Sequence, residues 1–124
     1  MDRCKKKELQ KLREEFVNAS IARYNFLYKE LNVRKADRNH DKMMAIRAKV
    51  ASDKETYREF FLPLLEHENY RVRLDAASAF IAVEPGMAKE ILEEVVAHGD
   101  RHDSNTAEWI LYRLPLLSVR GSSS

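Results

Sequence analysis

Residues 64–85 read LLEHENYRVRLDAASAFIAVEP, and this stretch decides the fold class. After a polar break at residues 67–69, Arg73 precedes three small side chains at helical spacing, which are Ala76, Ala77 and Ala79. Two helices cross closely only where the side chains that face each other are small. The stretch therefore predicts a helix that packs tightly against its neighbours. Arg73 is assigned a structural role, in which its planar guanidinium bonds a loop carbonyl or a carboxylate.

The composition favours long helices in one domain. Hydrophobic residues make up 44% of the 124 positions, which is too apolar for disorder, and three Gly and three Pro leave few turns. We expect a single domain over residues 1–118 and a flexible, Ser-rich tail over residues 119–124. Cys4 is the only cysteine, so no disulfide forms within the chain, and the expected location is the cytoplasm. No apolar run is long enough to span a membrane, so no membrane partner is expected.

Apolar residues recur at steps of three and four along the chain, and this periodicity predicts an all-α protein of about six helices. The first two helices form a long helical hairpin over residues 5–51. The first helix of this hairpin runs to about Leu31. The second begins at Asp37 or Asn39, either of which is a suitable N-terminal cap.

The second half of the chain contains its own start and stop signals. Pro63 should kink the third helix or start it anew, because proline has no N–H and crowds the carbonyl four residues earlier. Asn69 should cap the fourth helix. The sixth helix is expected to begin at Ser104 or Asn105 and to end at Pro115.

Sliding the sequence by 31 residues aligns the second half of the chain with itself. Asn69 then falls on Asp100, and apolar positions fall on apolar positions in both helices of each copy. We interpret residues 54–83 as one helix–turn–helix unit and residues 86–114 as a degraded second copy. Chance remains an alternative, since two amphipathic hairpins of similar length always align to some extent. Stacked units of this kind form an α–α superhelix, which is the predicted architecture.

The spacing around Arg73 resembles the second helix of a HEAT-type repeat: after a turn come Val72-Arg73, two variable residues, Ala76-Ala77, one variable residue and Ala79-Phe80. Residues 60–80, FFLPLLEHENYRVRLDAASAF, resemble a whole unit of that kind. The complete layout is similar to a family of small bacterial all-helical HEAT-like proteins of unknown function. The resemblance implies an ARM-type superhelix, and it is specific over residues 57–85.

The two halves of the chain carry opposite charge. Residues 1–54 hold 15 Lys and Arg against 8 Asp and Glu, a net charge of +7, whereas residues 55–124 hold 7 against 12, a net charge of −5. The acidic surface predicted for the second half favours a protein partner with a basic surface. Its carboxylates are Glu66, Glu68, Asp75, Glu90, Glu93, Glu94, Asp100 and Asp103.

We predict a protein–protein interaction module whose contact residues lie on the second helix of each unit, on the face opposite the core. The predicted contact residues are Arg71, Asp75 and Ser78 on the fourth helix and His102, Thr106 and Trp109 on the sixth. Trp109 has an alternative interpretation, in which it packs beneath Leu116 or Leu117. Small bacterial proteins without catalytic features often act as inhibitors. By analogy, the sharper hypothesis is an immunity-type protein that neutralises a basic toxin domain.

No catalytic residue, metal ligand or cofactor site is predicted, and we expect no enzyme activity. His98 and His102 have a spacing that suits zinc on a helix, but Gly99 should end the helix between them, and no third ligand has a clear spacing. Three glycines in the whole chain exclude most phosphate-binding loops. Adjacent carboxylates such as Glu14 and Glu15 diverge around a helix instead of converging on a substrate.

The alternative hypothesis is nucleic-acid backbone binding through the basic N-terminal helices. The cations that would carry it are Lys5, Lys6, Lys7, Lys11, Arg13, Arg34, Lys35, Arg38, Lys42, Arg47 and Lys49. The sequence pI of about 8.7 is lower than is typical of such domains, and aromatic residues are not interleaved with the lysines. Nucleic acid is therefore the less favoured partner.

Overall fold

The computed structural model describes the backbone of residues 3–122 and the side chains of residues 5–114. The predicted all-α class is confirmed, because this part of the chain contains six α-helices and no strand. The helices are α1 (Arg3–Tyr24), α2 (Val33–Val50), α3 (Lys54–Phe61), α4 (Tyr70–Phe80), α5 (Pro85–His98) and α6 (Arg101–Ser122). A π-helical turn, Asn25–Lys29, follows α1, and a 3₁₀ helix, Leu62–Glu66, follows α3.

The chain divides into two compact units, the first ending at Phe60 and the second beginning at Phe61. The expected single domain over residues 1–118 stays a prediction. Within the described residues, no helix combines the length and the apolar character that crossing a bilayer requires.

In the first unit, α1 packs on α2 across a short connection, as the predicted hairpin requires. Phe16 of α1 and Phe60 of α3 are completely buried and meet edge to face, with their ring centroids 6.0 Å apart. Arg47 of α2 donates from Nε to the hydroxyl oxygen of Tyr57, at 3.0 Å. The residues at the C-terminal end of α3 therefore complete the core between the two long helices.

Arg13 of α1 supports the end of α3, where a proline interrupts the helical hydrogen bonds. Pro63 has no N–H, so it cannot donate to the carbonyl oxygen of Glu59 four residues earlier. Arg13 donates to that oxygen from Nη2 at 3.1 Å and to the Phe60 oxygen from Nε at 3.0 Å. The α-helix ends at Phe61 and continues as the 3₁₀ helix, which agrees with the interruption expected at Pro63.

The connection between α1 and α2 differs from the prediction. The first α-helix ends at Tyr24 instead of Leu31, and the chain passes through the π-helical turn before α2 begins at Val33. Asn32 caps α2, since its side-chain oxygen accepts a hydrogen bond from the backbone N–H of Lys35 at 3.1 Å. The predicted starts at Asp37 and Asn39 are therefore wrong. Asn32 provides a capping oxygen five and seven residues before them, so the helix begins earlier.

Leu31 lies in this connection with an unusual backbone. Its φ is 54°, in the left-handed region that side chains with a Cβ rarely adopt. The side chain is 78% exposed, so packing does not compensate for the strain. This backbone belongs to the end of the helical segment, where the N–H of Asn32 donates to the carbonyl oxygen of Phe26 at 2.7 Å.

In the second unit, α4 contacts the 3₁₀ helix, α5 and α6. Its small side chains at Ala76, Ala77 and Ala79 are buried, and α5 and α6 contribute Ala88 and Ala107, which are completely buried as well. Small residues on all three helices allow their backbones to approach closely. The larger core side chains of the unit are Phe61, Leu64, Leu65, Val72, Leu74, Phe80, Leu92, Val95 and Leu114.

Side-chain caps define where α4 and α6 begin. Asn69 accepts hydrogen bonds from the backbone N–H groups of Arg71 and Val72, as predicted for the start of α4. Asp100 accepts from the backbone N–H of Asp103 at 2.8 Å, so α6 begins at Arg101. The predicted start at Ser104 or Asn105 is wrong because Asp100 supplies the cap four residues earlier.

The helix α6 also extends beyond its predicted end. Pro115 was expected to stop it, but the helix continues to Ser122. A proline removes one backbone donor, and a helix can continue past it with one hydrogen bond fewer. The predicted tail over residues 119–124 therefore overlaps α6 as far as Ser122, and Ser123 and Ser124 lie outside the described residues.

Replacement of Leu31 by glycine should stabilise the protein. Glycine adopts a positive φ without steric cost, whereas a residue with a Cβ loses about 1–2 kcal/mol there, partly offset by the greater freedom of glycine in the unfolded chain. We expect Leu31→Gly to raise the free energy of unfolding by about 0.5–1 kcal/mol in urea denaturation. Leu31→Ala keeps the Cβ and should leave stability unchanged. A glycine variant no more stable than the alanine variant would contradict the assignment of strain.

Replacement of Ala77 by leucine should destabilise the second unit. Ala77 is completely buried, so a leucine needs space that the closely packed helices do not provide. We expect a loss of about 1–3 kcal/mol of unfolding free energy, measured by thermal or urea denaturation. Ala97→Leu, at an exposed position of α5, is the matched control and should change it by no more than about 0.5 kcal/mol. Unchanged melting of Ala77→Leu would refute the close packing of small side chains.

Candidate functional site

The outer face of α6 is the main candidate site. The buried positions Asp103, Ala107 and Leu114 lie on one side of this helix, which leaves the opposite side to solvent. Trp109 is 58% exposed and Tyr112 is 84% exposed. The other exposed residues of this side are Arg101, His102, Asn105, Glu108 and Arg113. We give the name α6 face to five of these seven residues, which are His102, Asn105, Trp109, Tyr112 and Arg113.

The side chain of Arg113 packs on the Trp109 ring within the α6 face. The guanidinium carbon of Arg113 lies 4.6 Å from the centroid of the Trp109 ring. Such stacking restrains both side chains and leaves the Tyr112 ring free to make contacts. Tryptophan, tyrosine and arginine are the side chains most enriched at the energetic centres of protein interfaces. The α6 face can therefore bind an apolar or aromatic surface with little loss of side-chain freedom.

Of the contact residues predicted on α6, His102 and Trp109 lie on this exposed face. Thr106 is half-buried at its edge, where its hydroxyl donates to the carbonyl oxygen of His102 at 2.9 Å. The alternative for Trp109, packing beneath Leu116 or Leu117, involves side chains outside the described residues. Its large exposed fraction makes Trp109 available to a partner, while its role in binding stays a prediction.

The residues predicted on α4 do not form a matching exposed face. Arg71 is only 4% exposed, and the expectation that it lies on a face away from the core is wrong. Asp75 is half-buried beside it, and the Ser78 hydroxyl donates to the backbone oxygen of Leu74 at 2.9 Å. Arg71 turns inward because α6 presents a carboxylate to it, a feature that helical spacing on α4 alone does not reveal.

Arg71 and Asp103 form a buried ion pair between α4 and α6. Nη1 of Arg71 lies 3.2 Å from Oδ1 of Asp103, and Nε lies 3.9 Å from Oδ2 of Asp75. Burial raises the pKa of the Asp103 carboxyl above its ordinary value; the charge of Arg71 opposes this rise, and that of Asp100 adds to it. Taking the pair out of water is costly, so each charge depends on its partner. The pair therefore fixes the first turn of α6 against the start of α4.

Arg73 makes the kind of structural contact expected from the sequence. Its Nε donates to the carbonyl oxygen of His67, and its Nη1 lies 3.6 Å from Oε2 of Glu94 on α5. Its guanidinium carbon also lies 4.9 Å from the centroid of the Tyr70 ring. Arg73 thus joins the loop before α4 to α5, and its contacts are with the protein itself.

The acidic surface predicted for the second half is smaller than the sequence indicated. Asp103 is 5% exposed and engaged with Arg71, and Asp75 is half-buried, so neither belongs to an open acidic surface. The remaining six predicted carboxylates are exposed: Glu66, Glu68, Glu90, Glu93, Glu94 and Asp100. Exposed cations described in the same unit are Lys89, Arg101 and Arg113. The described surface of this unit therefore remains acidic.

The first unit contains two surface depressions. The larger, of about 610 Å³, lies between α1 and α2 and is lined by Glu15, Asn18, Ala19, Ala22, Asn39, Lys42, Ala45 and Ile46. The smaller, of about 220 Å³, is lined by Lys5, Glu8, Leu9, Leu12, Lys49, Val50, Ser52, Asp53 and Thr56. In the smaller depression the Thr56 hydroxyl donates to Oδ2 of Asp53 at 2.7 Å, a contact between neighbouring residues at the start of α3. Among the residues that the structure describes, no group of three or more His, Cys, Asp or Glu side chains could hold a metal ion.

Sequence reasoning did not identify Tyr112 and Arg113 as parts of the site. A signal was present, because they follow Trp109 at three and four residues and therefore lie on the same side of a helix. The expectation that Pro115 ends the helix hid this signal, since it left Tyr112 and Arg113 in a last turn with no assigned face.

Comparison with known proteins places the chain in a family. Residues 10–115 match the family model described as "Domain of unknown function (DUF2019)", and the chain belongs to this family. The chain is also similar to the protein RPA1889 from Rhodopseudomonas palustris CGA009, whose crystal structure has been solved. That structure superposes with a TM-score of 0.78 at 26% sequence identity, covering 86% of this chain and 88% of the other. No curated protein gave a match.

Removal of the Asp103 carboxylate should strongly destabilise the second unit. Asp103→Ala removes the nearer carboxylate from the buried guanidinium of Arg71, and breaking a buried pair in this way costs about 3 kcal/mol or more. Glu94→Ala is the matched control, because it removes a half-exposed carboxylate from Arg73 and should cost less than about 1 kcal/mol. Urea denaturation of both variants makes the comparison. Equal losses in the two would show that the Arg71–Asp103 pair has no special role.

Proposed function

We propose that this member of the DUF2019 family is a non-catalytic protein–protein interaction module that binds its partner through the α6 face. The observation that carries the proposal is the exposure of Trp109 and Tyr112 side by side on one helix, with Arg113 stacked on the tryptophan ring. Partner binding is assigned to the α6 face, and the proposal includes no catalytic residue, metal or cofactor.

The energetics of the exposed aromatic residues support an interface. A monomer gains little stability from a tryptophan that is 58% exposed and a tyrosine that is 84% exposed. A partner that covered them would remove a large apolar area from water, and aromatic side chains of this size dominate the energetics of interfaces. They lose little conformational freedom on binding, because each has only two rotatable side-chain bonds.

We further propose that the partner presents a basic surface with an apolar or aromatic pocket. The exposed carboxylates of the second unit, among them Glu90, Glu93 and Glu94, would attract such a surface and orient it during the encounter. An immunity-type protein, which blocks a basic toxin domain in the cytoplasm, is the sharper form of this proposal. It rests on analogy with small inhibitory proteins.

The HEAT-like interpretation is part of the same proposal. Two features support it: Asn69 and Asp100, which the 31-residue shift aligns, both cap a helix, and small residues are buried on successive helices of the unit. In a HEAT-like arrangement α4 and α6 would be the second helices of consecutive units, and α6 would provide the binding face.

Nucleic-acid backbone binding remains the alternative, but several of its cations have partners within the first unit. Arg13 bonds the end of α3, Arg47 bonds Tyr57, and Lys49 lies 3.7 Å from Glu8. The aromatic residues described in this unit are buried or half-buried, which disfavours base stacking. Binding to duplex DNA that weakens steeply with added salt would support the alternative.

Loss of either aromatic side chain should weaken partner binding without unfolding the protein. We expect Trp109→Ala and Tyr112→Ala each to weaken the complex by about 2 kcal/mol, or about thirtyfold, because they truncate the centre of the interface. The experiment isolates the partner by stoichiometric co-purification with the wild-type chain and then measures the affinity of each variant by calorimetry.

Met44→Ala is the matched control, because it removes an exposed apolar side chain from α2 and should leave the affinity unchanged. Circular dichroism checks that all variants are folded. A partner that binds the two α6 variants as tightly as the wild type would refute the assignment of the α6 face.

A further inference from the structure

The connection between α1 and α2 carries a second exposed apolar surface. Leu31 is 78% exposed and Val33 is 60% exposed, and they are separated by the capping residue Asn32. We call residues 29–35 the hairpin tip. In the preceding π-helical turn, residues 25–28, which include Phe26 and Tyr28, are half-buried, whereas Leu31 and Val33 are exposed.

The exposed side chain of Leu31 contributes little to the stability of the fold. A leucine in the left-handed region weakens the fold, and an exposed leucine gains no packing energy in return. Glycine and asparagine adopt the same backbone more easily. The left-handed backbone serves the end of the helical segment, because the Asn32 N–H donates to the Phe26 carbonyl oxygen, and the exposed leucine side chain remains accessible for contacts outside the fold.

Cations surround the two aliphatic side chains. Within the hairpin tip, Lys29, Arg34 and Lys35 are exposed, against the single carboxylate of Glu30. The Lys35 ammonium nitrogen lies 5.3 Å from the centroid of the Phe26 ring, a contact that holds it beside the tip. The tip therefore combines an apolar apex with a surplus of positive charge within seven residues.

The chemistry of this combination matches an anionic phospholipid surface better than the other anionic partners. A bilayer presents phosphate oxygens directly above a hydrocarbon phase, so one surface satisfies the cations and the aliphatic side chains together. Nucleic acids offer phosphates with base faces, and Leu31 and Val33 have no ring on which a base could stack. An acidic protein would need a shaped groove to cover a projecting turn, whereas a fluid interface closes around it.

We propose that the hairpin tip docks on anionic phospholipid membranes, with Leu31 and Val33 inserted at the interface and Lys29, Arg34 and Lys35 beside the phosphates. This contact is peripheral and does not require a spanning helix. It revises the sequence-based expectation of no membrane partner, which rested on the absence of a long apolar run. It is independent of the α6 face, which lies in the other unit.

Co-sedimentation of the full chain with vesicles tests the proposal. The vesicles contain phosphatidylglycerol mixed with phosphatidylcholine in one arm and phosphatidylcholine alone in the other. We expect the wild-type chain to sediment with the anionic vesicles, less with the neutral ones, and less as salt is added. Leu31→Ala should lower the partition coefficient by about tenfold, through loss of apolar area, and Arg34→Gln by about fivefold, through loss of one cation.

Two matched variants on α2 act as controls. Met44→Ala removes an exposed apolar side chain and Lys49→Gln removes a cation, both far along the helix from the tip, and neither should change the partition coefficient. Leu31→Ala keeps the Cβ, so its melting temperature should equal that of the wild type, and unfolding would not account for lost binding.

Three outcomes would overturn the proposal. The first is no sedimentation with anionic vesicles, which would favour an acidic protein segment as the occupant of the tip. The second is equal sedimentation with neutral vesicles, which would show that the cations of the hairpin tip do not contribute to binding. The third is loss of vesicle binding in Trp109→Ala but not in Leu31→Ala, which would transfer the membrane contact to the α6 face.

Discussion

The ion pair between Arg71 and Asp103 is the constraint on which the second unit depends. An arginine that is 4% exposed must have its charge compensated, and the compensating carboxylate comes from the first turn of another helix. This requirement sets the rotation of α6 about its own axis. Once Asp103 points inward, Ala107 and Leu114 follow it at helical spacing, and Trp109 and Tyr112 must face outward. A buried electrostatic contact thus determines which aromatic side chains are available for binding.

The cations of this protein serve its own backbone more than the sequence indicates. Arg13 bonds two carbonyl oxygens at the end of α3, one of which lacks a helical donor because of Pro63. Arg73 bonds the carbonyl oxygen of His67 and approaches Glu94. Both guanidiniums bridge separate helices or loops, a task that suits their planar arrangement of donors. Fewer guanidinium groups are therefore available to outside partners than the residue counts suggest.

Two surfaces keep apolar side chains in water, and they differ in chemistry. The α6 face presents large, flat aromatic rings on a regular helix, with one ring held by Arg113. The hairpin tip presents two aliphatic side chains on a strained turn, surrounded by cations. Rigid aromatic rings suit a shaped protein pocket, whereas small aliphatic groups at a projecting turn suit a deformable interface. The two proposals therefore assign a protein partner to one unit and a membrane surface to the other.

The sequence by itself determined the helical class, the cap of α4 at Asn69 and the interruption at Pro63. Each depends on an effect that acts within a few residues: the apolar periodicity, a side-chain acceptor and a missing N–H. It also determined that Ala76, Ala77 and Ala79 are buried, since small side chains at this spacing have few other uses. Only the tertiary structure decided that Arg71 and Asp103 are buried and that Tyr112 is exposed. Their positions depend on a contact between residues 32 positions apart, and no local pattern specifies which of several charged residues will meet.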